Sequence, residues 1–195
     1  MAYNPKDHYF HKAKKENFVA RSVFKLEEID QKFKLLKPDQ YVVDLGCAPG
    51  SWTQYVLRKS PKSQVIGIDL TVVNVKDPRF HFQQADIYTF DLAAFVKEKF
   101  GIDQVDVVLS DMAPKTTGIR STDQTRSFDL CMMALDYAKK YLKKNGSFVC
   151  KFFHSEDFSL LSQEMKKIFG KVEVLKPDST RKISKEIFLI GLNKK

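Results

Sequence analysis

Short apolar runs rich in β-branched residues alternate with helical patterns along most of this chain, and that alternation constrains its fold more than any other feature. The runs fall at 41–45, 65–68, 80–82, 105–109, 147–150 and 187–190. Helical periodicity lies between most of them, at 52–59, 90–100, 125–144 and 156–169, with Gly101, Gly146 and Gly170 placed where these helices should end. Strands that are apolar along nearly their whole length are buried on both faces. They predict an α/β fold, a parallel sheet covered by helices on both sides and doubly wound because crossovers are right-handed. The runs 172–175 and 187–190 follow each other with no helix between, so the last strand is expected to be antiparallel. Ahead of the sheet, Val19, Val23, Leu26, Ile29 and Phe33 predict an amphipathic helix over 19–36, closed by Pro38 and Asp39.

A chain of 195 residues fits a single domain, 1–195, with a basic segment 1–18 preceding the core. No stretch reaches the roughly 20 apolar residues of a membrane helix, and Asn4, Lys6, Asp7 and His8 break any signal-peptide core, so a cytoplasmic protein with no membrane contact is expected. Cys47, Cys131 and Cys150 are too scattered for a disulfide framework and read as reduced. The net charge of +9 is concentrated at the ends. Residues 1–37 hold nine basic and five acidic side chains and residues 176–195 six and two, whereas 38–175 are nearly balanced at eighteen and seventeen. A basic patch on a neutral core suggests a polyanionic partner, since phosphate contacts dominate nucleic-acid affinity. The candidate contacts are Lys12, Lys14, Lys15, Arg21, Arg181 and Lys182, with Tyr9 and Phe10 available for base stacking. His8 and His11 have an H-x-x-H spacing among lysines, with no cysteine or acid to complete a zinc set, so no metal is expected.

The first strand runs into Asp44-Leu45-Gly46-Cys47-Ala48-Pro49-Gly50-Ser51-Trp52, a small-residue turn that opens a helix, the place where nucleotide-like ligands bind in such sheets. The G-x-G-x-x-G of a dinucleotide site is missing, because Ala48 stands at its second glycine. That disfavours a nucleotide-dependent oxidoreductase. Asp69 ends the second strand, where a carboxylate can accept from ribose hydroxyls, and Asp86 lies just past the third. Each aspartate alone would read as a cap or turn residue. Together at one sheet edge, three carboxylates and an open loop suit S-adenosylmethionine, an adenosine with sulfonium and ammonium charges. The fourth strand ends in Ser110-Asp111-Met112-Ala113-Pro114 and the fifth in Cys150-Lys151-Phe152, so a carboxylate and an ammonium close neighbouring strands.

Over nearly its whole length the sequence resembles the FtsJ/RrmJ family of ribosomal RNA large-subunit 2′-O-methyltransferases. The resemblance rests on Asp7-His8-Tyr9-Phe10, Arg21-Ser22 through Phe24-Lys25-Leu26, Val43-Asp44-Leu45-Gly46, Ala48-Pro49-Gly50 with Trp52, Ser110 to Pro114, and Lys176-Pro177-Asp178-Ser179. It implies a Rossmann-like methyltransferase fold and a catalytic tetrad at Lys25, Asp111, Lys151 and Glu186. It also implies S-adenosylmethionine ligands at Gly50, Trp52, Asp69, Asp86 and Asp111. The implied substrate is a uridine of 23S ribosomal RNA, as naked RNA or within the large ribosomal subunit, acted on by a monomer; transfer RNA is the nearest competitor. A non-catalytic RNA-binding module is disfavoured by the complete tetrad. Cys47 and Ser51 depart from the family's usual residues, and both are small. A 2′-hydroxyl is a poor acid, so it needs a base or cations that stabilise its oxyanion, and Lys151 could serve as either.

Overall fold

The computed structural model describes residues 7–114 and 117–195. Seven strands form one sheet: β1 (Tyr41–Leu45), β2 (Gln64–Asp69), β3 (Phe80–Gln84), β4 (Val105–Ser110), β5 (Leu142–Phe153), β6 (Phe169–Leu175) and β7 (Glu186–Lys194). Their order is β3-β2-β1-β4-β5-β7-β6. The first five are parallel, while β7 lies between β5 and β6 and is antiparallel to both. The expected reversal is present. Its insertion between β5 and β6 goes beyond the sequence reading, and it sets Lys151 opposite Phe188 and Phe153 opposite Glu186.

The continuous apolar runs are buried on both faces, as their composition requires. On one face, Phe24, Leu26 and Ile29 of α2 (Val23–Phe33) and Trp52 and Val56 of α3 (Ser51–Lys59) cover Val42, Val65 and Leu109. On the other, α4 (Leu92–Phe100), α5 (Arg120–Tyr141) and α6 (Phe158–Ile168) cover Val43, Ile66 and Phe148. Strand order reverses between β1 and β4. A crevice opens at the carboxyl edge of such a switch point.

Three local features differ from expectation. The segment 1–18 contains a helix, α1 (His8–Lys15), started by the Asp7 carboxylate accepting from the Phe10 N–H at 3.1 Å. Only Ala13 of this helix is buried, so its periodicity is too short to register; Tyr9 and Phe18 pack on Phe24 with ring centroids 5.5 and 6.4 Å away. Helix α2 starts at Val23 and not at 19, leaving Val19 exposed. Gly101 does close α4 in the left-handed region, but Gly146 and Gly170 lie within strands. At Gly146 a Cβ would stand 2.8 Å from the Lys143 carbonyl oxygen, so glycine is needed there for close backbone approach in the irregular start of β5. Among the described residues no helix is long and apolar enough to cross a membrane.

Candidate active site

The turn after β1 places its backbone against the tip of β4. Gly46 has φ of +69°, and a Cβ there would overlap Cγ of Met112, so only glycine lets these two strand ends meet. Gly50, at φ +107°, opens α3 after a cis Ala48–Pro49 bond. Asp69 braces the turn: one oxygen accepts from the Ala48 N–H at 2.9 Å, the other from the Thr71 N–H at 2.7 Å. Asp86 accepts from the Tyr88 N–H at 3.0 Å. These residues border a cavity of about 430 Å³, whose lining includes Gly46, Ala48, Asp69, Asp86, Asp111 and Met133. That size lies within the range of small-ligand sites.

Asp44 stands behind this wall with 1% of its surface exposed and accepts from the Thr53 hydroxyl at 2.8 Å. Burial raises its pKa to about 7, Asp111 and Asp69 add to the rise, and Thr53 opposes it. The cavity edge is therefore crowded with carboxylates that repel one another, an environment that favours a cationic ligand. In the sequence Asp44 reads only as part of the loop motif; its apolar strand context is the signal that marks it as a buried acid. Burial, reinforced by Asp44 and Asp69, also pushes up the Cys47 thiol, so it remains a thiol.

On the other side of Asp111 the charges are paired. Lys151, with 7% of its side chain exposed, lies 3.0 Å from Oδ1 of Asp111 and donates to the Asp111 carbonyl as well. Lys25 donates to Oε1 of Glu186 at 2.8 Å, and its ammonium lies 5.8 Å from the Phe188 ring. Because side chains alternate along a strand, Lys151, Glu186 and Phe188 share one face of the β5–β7 ladder, the face that α2 covers. Burial would raise the Glu186 pKa, but the Lys25 charge and hydrogen bond, the Lys151 charge and the Ser184 hydroxyl outweigh it and hold the carboxyl below the usual glutamate range. The four expected tetrad residues are thus brought together as two ion pairs, joined by the field of Lys151 on Glu186.

The other expected site residues divide. Trp52 is buried, its indole N–H donating to the Ser22 carbonyl at 2.9 Å and its ring 5.8 Å from Phe188. Its ring supports the core, and neither Trp52 nor Gly50, which is buried against Val73 and Val75, is among the residues that line the cavity. Of the basic candidates, Arg21 pairs with Asp7 and donates to the Ser179 carbonyl, and Arg181 lies 3.5 Å from Asp7. Both expected RNA contacts thus share the Asp7 carboxylate at the start of α1, and both keep part of their side chains exposed. Lys12 reaches Glu16 and Glu27 at 4.0 and 3.9 Å and sits 4.2 Å from the Phe24 ring. Lys14, Lys15 and Lys182 are exposed. His8 is exposed on α1 and so is His11.

A doubly wound sheet with a reversed strand between β5 and β6, and an acid-lined cavity at its switch point, is an α/β architecture with a small-ligand site at the carboxyl edge of the sheet. The sequence matches the FtsJ-like methyltransferase family over residues 18–194. It is 62% identical to the ribosomal RNA large subunit methyltransferase E of Bdellovibrio bacteriovorus, with each chain covered in full, and 48% identical to that of Desulfatibacillum aliphaticivorans over 97% of this chain and 91% of the relative. A ribosomal RNA methyltransferase structure from Plasmodium falciparum superposes with a TM-score of 0.82 at 28% identity, covering 91% of this chain and 98% of that one. The chain belongs to the FtsJ-like methyltransferase family and is a methyltransferase.

Proposed function

We propose that the protein transfers the methyl group of S-adenosylmethionine to a uridine 2′-hydroxyl of 23S ribosomal RNA. The observation that carries this reading is the position of Asp111, whose carboxylate lines the acidic cavity and also pairs with Lys151 at 3.0 Å, so a methyl donor and a hydroxyl acceptor would share one wall. The names of the relatives supply the RNA. The cavity suits the cofactor chemically: Asp69 and Asp86 offer acceptors for ribose hydroxyls, and the carboxylates of the lining favour its positive charges.

When bound, the cofactor supplies an electrophilic methyl group on a sulfonium, and the S–C bonding pair stays with sulfur as the O–C bond forms. The protein's part is to hold the hydroxyl in line with that bond and to balance the charge growing on oxygen. Holding the reactants in near-attack geometry can contribute roughly 7 to 11 kcal/mol. Lys151, fixed by both the carboxylate and the carbonyl of Asp111, presents a cation to the oxyanion while the hydroxyl proton passes to water. Lys25 and Glu186 keep the ribose side of the cleft ordered. Arginine keeps the charge and cannot take a proton, so turnover retained in part by Lys151→Arg supports the electrostatic role. The functional reading itself is tested by incubating the protein and labelled S-adenosylmethionine with undermethylated large ribosomal subunits and with tRNA. Label in 2′-O-methyluridine of the large-subunit RNA supports it; label confined to tRNA or to a base contradicts it.

A further inference from the structure

The segment 176–185, which leads into Glu186, is fastened to the helix that carries Lys25. One turn after Lys25, the Glu28 carboxylate accepts the consecutive main-chain N–H groups of Asp178, at 2.5 Å, and Ser179, at 2.9 Å. Just before α2 begins, Arg21 donates to the Ser179 carbonyl. The helix is fixed at its start as well: the Ser22 hydroxyl lies 2.7 Å from that of Ser51, and the Ser22 carbonyl accepts from Trp52. Two N–H groups on one carboxylate set both the distance and the orientation of a backbone segment, because each bond is charge-assisted and the pair resists rotation. Lys25 lies three positions before Glu28, on the same side of α2, which is the side turned to this segment. Pro177, Ser179 and Thr180 are buried next to the Glu28 bonds, whereas Lys182, Ile183 and Lys185, nearer Glu186, are exposed, so the segment is anchored at its Glu28 end.

Resting on the methyltransferase reading above, we infer that Glu28 is a positioning residue for the tetrad: it holds the 176–185 segment on α2, so that Glu186 meets Lys25 and both stay in register with Lys151. Glu28 does not touch the reacting atoms. It acts through Glu186, and without it the segment and α2 move separately, the Lys25–Glu186 bond opens for part of the time, and the ribose side of the cleft loosens. A glutamate that merely stabilised the fold would lower the melting temperature and leave the turnover of the folded enzyme and the titration of Glu186 as they were.

The test uses the full-length Glu28→Ala and Glu28→Gln proteins, with Gln31→Ala as a control on an exposed position of the same helix. Three quantities are measured: kcat and KM for large-subunit RNA, S-adenosylmethionine affinity by calorimetry, and the Glu186 carboxyl titration by carbon NMR. Glu28→Ala should lower kcat by roughly 10- to 100-fold, the scale expected for a misplaced reactive group, with KM and cofactor affinity within about twofold of the parent. Glu186 should titrate nearer the ordinary glutamate value, because the Lys25 charge and hydrogen bond lower it in the parent. Glu28→Gln keeps one acceptor oxygen and should recover part of kcat, and Gln31→Ala should match the parent. Parental kcat with an unshifted Glu186 in folded Glu28→Ala overturns the inference. If that variant does not fold, Glu28→Gln decides: both quantities displaced supports the inference, both parental overturns it. A parent that methylates no RNA would sink the functional reading, while the Glu186 titration would still report whether Glu28 acts on Glu186.

Discussion

On the β1–β3 side of the cleft, Asp44, Asp69 and Asp86 are held by neutral donors: a threonine hydroxyl and the backbone N–H groups of Ala48, Thr71 and Tyr88. On the β5–β7 side, Glu186 and Asp111 each meet a lysine within 3.0 Å. Asp44 and Glu186 are shifted in opposite directions: burial pushes Asp44 up to about 7, while Lys25 and Lys151 outweigh burial at Glu186 and hold it below its usual range. One side stores uncompensated negative charge that a cationic ligand can relieve. The other is already neutral, and it orders cations around a position where negative charge can develop without first attracting an anion. Asp111 stands on the border and belongs to both.

Removing Lys151 attacks the paired side and should have the largest effect. Lys151→Ala is expected to cut methyl transfer by roughly 10²- to 10⁴-fold, the contribution usual for a positioned acid–base or oxyanion-stabilising group, with cofactor affinity nearly unchanged. A matching fall in cofactor affinity would mean that the two sides are not separate. Asp69→Ala attacks the acidic side. It should weaken S-adenosylmethionine binding by roughly 10- to 150-fold for each charged hydrogen bond removed, measurable by calorimetry, with some fall in stability from the freed Ala48 and Thr71 N–H groups. Asp111→Ala should damage both binding and transfer.

Acid and base titrations sharpen the contrast at smaller scale. Asp44 has a raised folded-state pKa, so its contribution to stability is complete below its ordinary value of 3.8 and is lost as pH rises through about 7. Melting curves of the parent should thus fall between those limits relative to Asp44→Asn, by a few degrees for a chain of this size. Glu186 has a lowered folded-state pKa, so its contribution is present above its ordinary 4.5 and is lost as pH drops through the folded value. Lys25→Met should flatten that acid limb and leave the Asp44 limb in place. Identical pH profiles for parent and both variants would remove the electrostatic distinction between the two sides. The smallest effect is expected outside the cleft. Lys14→Glu with Lys15→Glu should flatten the log–log salt dependence of RNA affinity by roughly 0.7 to 0.9 for each phosphate the lysines neutralise in the parent, and leave cofactor affinity alone. An unchanged slope would mean that these lysines touch no phosphate.

The two sides also differ in how far the sequence announces them. The acidic side is local: β1 has the expected bounds, and Asp69 and Asp86 stand at strand tips that periodicity locates to within two residues. A strand end, a turn and a helix start are short-range events, and turn chemistry reads them directly. The paired side joins residues 40 and 161 positions apart, so the Lys151–Asp111 and Lys25–Glu186 contacts follow from sheet order and from the reversal of β7. Taken alone, Lys25 reads as a solvated helix lysine, and only the family resemblance singles it out. Arg21 and Arg181 show the same limit from the other direction. Their charge is plain in the sequence, but their partner Asp7 is brought to them by a short helix whose single buried residue leaves almost no periodic trace.

Labelled methyl transfer to undermethylated large ribosomal subunits, by the parent and by Lys151→Ala at matched cofactor saturation, tests the central claim most directly. That claim is the proposal that the donor is held on the acidic side and the hydroxyl is activated on the paired side. The parent should yield 2′-O-methyluridine on nucleoside digestion, and the variant should yield almost none while binding S-adenosylmethionine with parental affinity. Turnover by Lys151→Ala close to that of the parent, or label recovered on a base and not on a ribose, would contradict it.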